Sequence, residues 1–275
     1  MRTAVRRRLA ACAFNTLRRL LCLCGRDITA VVSGGSCLVI APHPDDEVIG
    51  CGAAILRTRD SGQPVRVIFV TDGRYAYRSS VMRASDIAVC REAEALQACQ
   101  RLGVPAGEVV FLRHSDGAAQ ERIDAIVAGL RREVGDFKPA CVLSPLAMDS
   151  HRDHRAVAKA VDRLVRAGAI HCPVYEYPVW LWTLATWRDS VQARFKRDPH
   201  WPFRAASLLR PRTVAVAGYQ DRKRSALAAH RSQIVNLTGE PAWQPLDPDF
   251  LLHFLGPHEL FFEKPRPRKP GHTSR

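Results

Sequence analysis

Two short stretches of this chain concentrate the side chains that can do chemistry. Ala41-Pro42-His43-Pro44-Asp45-Asp46-Glu47 sets an imidazole beside three carboxylates, and Asp149-Ser150-His151-Arg152-Asp153-His154 sets two imidazoles among two more. Burying that much negative charge unpaired is costly, so the first stretch calls for a compensating cation. Imidazole with carboxylate is a donor set suited to zinc, which at catalytic sites takes three protein ligands and leaves the fourth position to water. A simpler reading has Asp45, Asp46, Glu47 and Asp153 merely cap helix N-termini, where the helix dipole stabilises carboxylates. Two such clusters in one chain favour the metal.

The elements that must position them follow from periodicity. From Ser36 onward, short β-branched runs alternate with amphipathic stretches, the pattern of βα units around a parallel sheet. Cys37–Ile40, Val65–Val70, Val109–Leu112 and Cys141–Ser144 read as buried strands. Val48–Asp60, Met82–Leu102, Glu121–Val134 and Asp153–Ala167 read as helices, the second closing at Gly103. Four such repeats with right-handed crossovers predict an α/β fold, a Rossmann-like, mostly parallel sheet with helices on both faces. Ligands bind such sheets at the carboxyl ends of strands, and both clusters directly follow a strand, so they are expected to converge. Beyond Gly168 the rhythm changes. Val174–Trp182 is strand-like and aromatic, 183–212 reads as an irregular insertion or lid holding Trp187 and Trp201, Val214–Val216 as a short strand, and Gln220–Ser232 as a helix.

The chain has 275 residues, 47% apolar and 25% charged, which excludes a disordered chain and leaves room for a sizeable core. Its net charge of +14 sits almost wholly at the ends: residues 1–26 hold seven Arg and residues 264–275 five Lys or Arg, with no acid in either. The body balances 29 basic against 27 acidic residues, so no nucleic-acid partner is expected. This divides the chain into a basic amphipathic segment over 1–30, a single domain over 31–263 and a basic, Pro-rich tail over 264–275. On a helix, Phe14, Leu17, Leu20, Leu21 and Cys24 fall on one side with Arg8, Arg18 and Arg19 on the other, which suits a helix lying on an anionic membrane; a helix packed on the body or a disordered leader is the alternative. No uninterrupted apolar run is long enough to span a bilayer. The nine cysteines are odd in number and scattered, several within apolar runs, and read as reduced in a cytoplasmic protein, peripheral to the inner face of the membrane if the first helix binds it.

The stretches PHPDDEVIGCGAAIL, VTDGR, REAEALQACQRLGV, SPLAMDSHRDH and KRSALAAHRSQ, in that order over about residues 36–235, resemble the PIG-L/LmbE-type N-acetylglucosaminyl deacetylases. The resemblance implies a zinc hydrolase of Rossmann-like fold that removes acetyl groups from amino sugars. Carried over by position, His43, Asp46 and His154 would hold Zn2+ or another divalent transition metal. Asp45 would be the general base for a metal-bound water attacking the amide carbonyl. His151 would lie beside that carbonyl, with Asp153 orienting its ring. Arg152 stands where Pro is common and Ala53 where a second Gly is frequent, and neither touches a proposed ligand.

The chemistry agrees with the residues: a metal can lower the pKa of its bound water towards ~7. Arg74, Arg91 and Asp116 stand near strand ends or helix faces and are candidates for sugar hydroxyls; each can equally be a turn residue or a solvated charge. The partner expected is an N-acetylated amino sugar in a glycolipid, glycoside or polysaccharide precursor, lipid-linked if the first helix binds membranes. A non-catalytic carbohydrate- or lipid-binding protein on the same fold is the alternative, and the intact Asp45 argues against it. A dinucleotide site is disfavoured, because the first strand leads into HPDDEVIGCG rather than a glycine-rich GxGxxG turn.

Overall fold

The apolar runs of the sequence become the centre of one sheet. The computed structural model describes residues 2–183 and 210–265, with side chains from Cys12 onward. Among them, eight strands run in the order β1-β7-β8-β6-β5-β2-β3-β4. These are β1 (Arg26–Asp27), β2 (Cys37–Ala41), β3 (Val65–Thr71), β4 (Val109–His114), β5 (Cys141–Pro145), β6 (Val174–Tyr177), β7 (Pro211–Ala215) and β8 (His258–Glu263). All pairs are parallel except those of β8, which runs antiparallel to β6 and β7.

Both faces of the central strands are covered, which is why they read as unbroken apolar runs rather than alternating ones. Cys37, Val39 and Ala41 of β2 point into one core, with Val48, Cys51 and Ile55 of α3 (Asp46–Asp60) and Ala95, Ala98 and Cys99 of α4 (Ala84–Arg101). Leu38 and Ile40 point into the other, with Ile126 and Leu130 of α5 (Ile123–Phe137) and Val157, Val161 and Leu164 of α6 (Arg152–Arg166). Helix α4 ends as its sequence demands: Gly103 takes φ 79° and the Val104 N–H reaches back to the Cys99 carbonyl at 2.9 Å. Gly50 and Gly52 of α3 are required by close approach. A Cβ on Gly50 would lie 2.4 Å from the Tyr177 ring, and one on Gly52 would lie 3.0 Å from the Lys223 side chain.

The structure departs from the expected elements in four places. The aromatic run after Val174 is a strand only to Tyr177, then a 3-10 turn over Trp180–Trp182. The helix expected over Gln220–Ser232 is two, α7 (Gln220–Leu227) and α8 (Arg231–Ile234), broken at a sharp turn that carries His230. Strand β8 was not expected from the βα rhythm, because it enters the sheet antiparallel after the short helix α9 (Pro248–Leu251). Lastly, α1 (Arg2–Cys24) is turned so that Phe14, Leu21 and Cys22 pack on the core while Arg18, expected on the polar side, is buried and donates to the His258 carbonyl at 2.6 Å. Leu20 and Leu23 are left exposed. The side chain of Arg8, the insertion between Thr183 and Arg210 with Trp187 and Trp201, and the tail beyond Pro265 lie outside the described residues.

Candidate active site

The chain order puts the two clusters side by side. From β2 the chain winds through β3 and β4 on one side, then returns to lay β5 against the other side of β2, so the order reverses between β2 and β5. That reversal is where ligands bind in open α/β sheets. His43, Asp45 and Asp46 follow the carboxyl end of β2, and Asp149, His151, Asp153 and His154 follow that of β5. To turn from β2 into α3, Asp45 adopts φ 144°, a region that strains a non-glycine residue by about 1–3 kcal/mol.

Three donor atoms converge there. Asp46 Oδ2 lies 3.3 Å from His43 Nδ1 and 3.3 Å from His154 Nε2. Ligand atoms around a tetrahedral zinc at ~2.0–2.2 Å stand about 3.3–3.6 Å apart, so the spacing fits a divalent cation. A second observation agrees: His154 Nε2 is buried and makes no hydrogen bond among the described residues. The other ring nitrogen, Nδ1, lies 3.0 Å from Asp149 Oδ2, which directs the ring proton there and leaves the Nε2 lone pair for a metal. His43 is held likewise, its Nε2 lying 3.2 Å from Asp153 Oδ2 and 3.3 Å from Asp116 Oδ1. Two further groupings bring one ligand atom of each residue within 4.8 Å of the others, His43 with His151 and His154, and His43 with Asp116 and Asp153.

The electrostatics follow from that crowding. Burial works against charge on His43 and His154, yet the facing carboxylates outweigh it. His43 is held well above the usual imidazole range and His154 is raised to about 9. Burial pushes Asp46 up, but His154 and His43 more than reverse it and hold the carboxyl well below the usual range. In the absence of a cation, protons on these rings therefore balance the carboxylates.

A cavity of about 310 Å³ opens over this group, lined by Asp45, His151, Trp180 and Phe250 among others. Burial, partly opposed by Arg91, raises Asp45 to about 6. Arg91 Nη2 lies 3.2 Å from Asp45 Oδ2 and also donates to the Pro44 carbonyl. His151 is pushed down to about 3 by burial and by the neighbouring charges of His43 and His154. Its Nδ1 accepts the Asp153 N–H at 3.3 Å, so in the neutral ring the proton is on Nε2. Trp180 stacks 6.0 Å from His151 and 5.3 Å from Phe250.

Thus His43, Asp45, Asp46, His151 and His154 come together, with Arg91 and Asp116 on the same cavity wall. The Asp153 carboxylate faces His43 and accepts from the Gly117 and Ala119 N–H groups, while its backbone N–H meets the His151 ring. Arg74 is held against Asp72 instead, its Nε 2.7 Å from Asp72 Oδ2. Helix capping does not account for Asp45 or Asp153, since Asp45 makes no side-chain cap hydrogen bond and Asp153 is bonded elsewhere. Sequence reasoning gave Asp149 no individual role and Glu47 none beyond helix capping. The signal for Asp149 was an acidic residue just upstream of His154; for Glu47, bonded at 2.6 Å to His230, no local signal exists.

Residues 38–165 match the family model described as PIG-L: GlcNAc-PI de-N-acetylase. The chain is 32% identical over 124 residues to a diacetylchitobiose deacetylase of Thermococcus kodakarensis, covering 43% of this chain and 44% of that protein. It thus spans less than half the length of that relative. To a probable N-acetyl-alpha-D-glucosaminyl L-malate deacetylase 2 of Bacillus cereus it is 27% identical over 202 residues, 71% of this chain and 82% of the other. The structure of N,N'-diacetylchitobiose deacetylase from Pyrococcus horikoshii superimposes with a TM-score of 0.60 at 21% identity, covering 91% of each chain, and so shares the fold. Residues 38–165, which contain both clusters, are thus the part of the chain that is similar to the PIG-L family.

Proposed function

We propose that the protein is a metal-dependent deacetylase that hydrolyses the N-acetyl group of an N-acetylglucosamine-type sugar. The carrying observation is the convergence of His43 Nδ1, Asp46 Oδ2 and His154 Nε2 beneath a cavity that Asp45 and His151 also enter. A divalent cation on those atoms, for which Zn2+ suits the donor set, would polarise the acetyl carbonyl and acidify a water.

The chain's own groups supply the rest. Asp45, raised to about 6, is poised to accept a proton from the attacking water near neutral pH and to pass it to the departing amine, giving acetate and the free amino sugar. Arg91 fixes its carboxylate. A neutral His151, its proton on Nε2, donates a hydrogen bond to the oxyanion that forms on the acetyl carbon; such donors matter most where charge develops. Asp153 and Asp116 hold His43, and Asp116 stands on the cavity wall where it can also accept from a sugar hydroxyl. Trp180 lines the same cavity, where an aromatic ring can pack against a sugar.

A lipid surface remains part of this reading. Phe14, Leu21 and Cys22 are packed on the body, so among the described side chains Arg19 with exposed Leu20 and Leu23 would make the contact. No helix among the described residues is long and apolar enough to cross a membrane. Binding of the full chain to anionic but not neutral vesicles supports the surface role, and equal indifference to both removes it. The activity is tested by acetate release from a panel of N-acetylglucosamine conjugates. Asp45→Asn is expected to lower kcat by about 10²–10⁴ while the cation stays bound. A metal-loaded wild type that releases no acetate from any conjugate contradicts the proposal.

A further inference from the structure

Asp45 is strained, and the means of holding it extends outside the family-matched segment. Its backbone N–H donates to Glu47 Oε2 at 3.0 Å, two residues along the chain. The other oxygen of the same carboxylate, Oε1, lies 2.6 Å from His230 Nε2. Glu47 and His230 are both fully buried, at 0% exposure. His230 sits in the turn between α7 and α8, more than 180 residues from Glu47 in sequence. That turn is itself anchored, because Ser232 gives both its N–H and its hydroxyl to Glu94 and Gln233 accepts from the Tyr77 hydroxyl.

Three restraints therefore meet at Asp45. Arg91 grips its carboxylate, the first turn of α3 takes its carbonyl through the Val48 and Ile49 N–H groups, and Glu47 takes its N–H. The peptide between Pro44 and Asp45 is held at both of its polar groups, the Pro44 carbonyl by Arg91 and the Asp45 N–H by Glu47, and Glu47 is in turn held in place by His230. A strained backbone persists only where its surroundings over-determine it. The same peptide turn sets the angle at which the Asp45 carboxylate enters the cavity.

We infer that Glu47 and His230 are positioning residues for the base: they lock the Pro44–Asp45 peptide and so aim the Asp45 carboxylate, without touching substrate or metal. The inference rests on the proposed role of Asp45. A displacement of about 1 Å in a reacting group can cost ~10²-fold in rate, and loss of an outer supporting partner commonly costs 10–100-fold.

The test compares His230→Ala, His230→Gln and Glu47→Gln in the full chain, loaded with Zn2+ and assayed well below their melting temperatures. His230→Ala is expected to lower kcat about 10–100-fold with KM within threefold and zinc content unchanged. His230→Gln, whose amide can donate to Glu47, should recover most of the loss, and Glu47→Gln, which keeps one acceptor for the Asp45 N–H, should fall between. Crystal structures of wild type and His230→Ala give a readout independent of turnover: Asp45 keeps its positive φ in the first and relaxes in the second. An unchanged kcat in His230→Ala, a loss that tracks zinc content, or an unmoved Asp45 overturns the inference. If wild type releases no acetate, the deacetylase reading fails by itself, and the two crystal structures still decide the positioning role. Should His230→Ala not fold, Glu47→Gln with the same readouts replaces it.

Discussion

Helix α3, which begins with Asp46, is crossed in its middle by an ion pair, and removing one member of that pair should be far more damaging than removing both. Lys223 Nζ lies 2.6 Å from Glu259 Oε1, and the two side chains are each 1% exposed. Lys223 also donates to the Ile49 carbonyl at 3.1 Å, and Glu259 accepts the Ala53 and Ala54 N–H groups at 2.6 and 2.9 Å. The Ile49 carbonyl and the Ala53 N–H are ordinary helix partners, so the ion pair adds its bonds to backbone groups within α3. Glu259→Gln leaves a buried ammonium without its counter-charge and turns an amide NH2 towards a backbone N–H. Breaking a buried pair costs about 3–5 kcal/mol, a large share of the ~5–15 kcal/mol that stabilises a typical domain. Lys223→Met leaves the carboxylate its two N–H donors, which places it at the lower end of that range. The double change Lys223→Met with Glu259→Met leaves no buried charge, so it should cost less than Glu259→Gln alone. Urea denaturation of the four proteins, with slopes compared to verify a common unfolding transition, measures this. A Glu259→Gln cost below about 1 kcal/mol, or a double variant as unstable as the two single losses added, refutes the reasoning.

Other consequences follow from the same geometry. Asp149→Asn weakens the hydrogen bond that orients His154 and should lower metal affinity about 10–100-fold with little change in fold, as read by titration with a chelator as competitor. A cation must displace the protons of His43 and His154, so affinity should rise with pH, by about tenfold per unit for each proton released between pH 6 and 8. Because the folded-state pKa of His154 is raised, to about 9, its contribution to the cation-free protein is full below the unfolded imidazole value and is lost as pH rises through about 9. Thermal melts with and without metal should diverge over that window. The activity of the loaded enzyme should fall on the acid side with a limb at or below about pH 6, as Asp45 takes a proton. Arg91 lowers the Asp45 pKa, so Arg91→Met should move that limb to higher pH, and a limb that stays put would show another group to be the base.

What could be read from the sequence was what local pattern determines. The runs Cys37–Ile40 and Val65–Val70 announced central strands because both their faces are buried, and Gly103 announced the end of α4 because only that backbone conformation closes it. That the two clusters meet was legible because both follow strand ends of one sheet; the choice of His43, Asp46 and His154 among them came from the family resemblance. The rest depended on partners distant in the chain. Strand β8 pairs with β6 and β7, whose residues lie far upstream, and the burial of Arg18 is settled by the His258 carbonyl. Lys223 and His230 looked like members of a helix packed on the sheet. Their partners Glu259, Ile49 and Glu47 appear only when α7 is laid across α3.

The central claim is that His43, Asp46 and His154 hold the cation on which turnover depends. Metal content measured on purified wild type beside His154→Ala, each followed by acetate release from N-acetylglucosamine conjugates, tests it most directly. The account predicts near-stoichiometric divalent metal and acetate from wild type, with both lost in His154→Ala although the variant remains folded. Full metal content in folded His154→Ala, or acetate release by wild type that survives complete removal of metal, would contradict it.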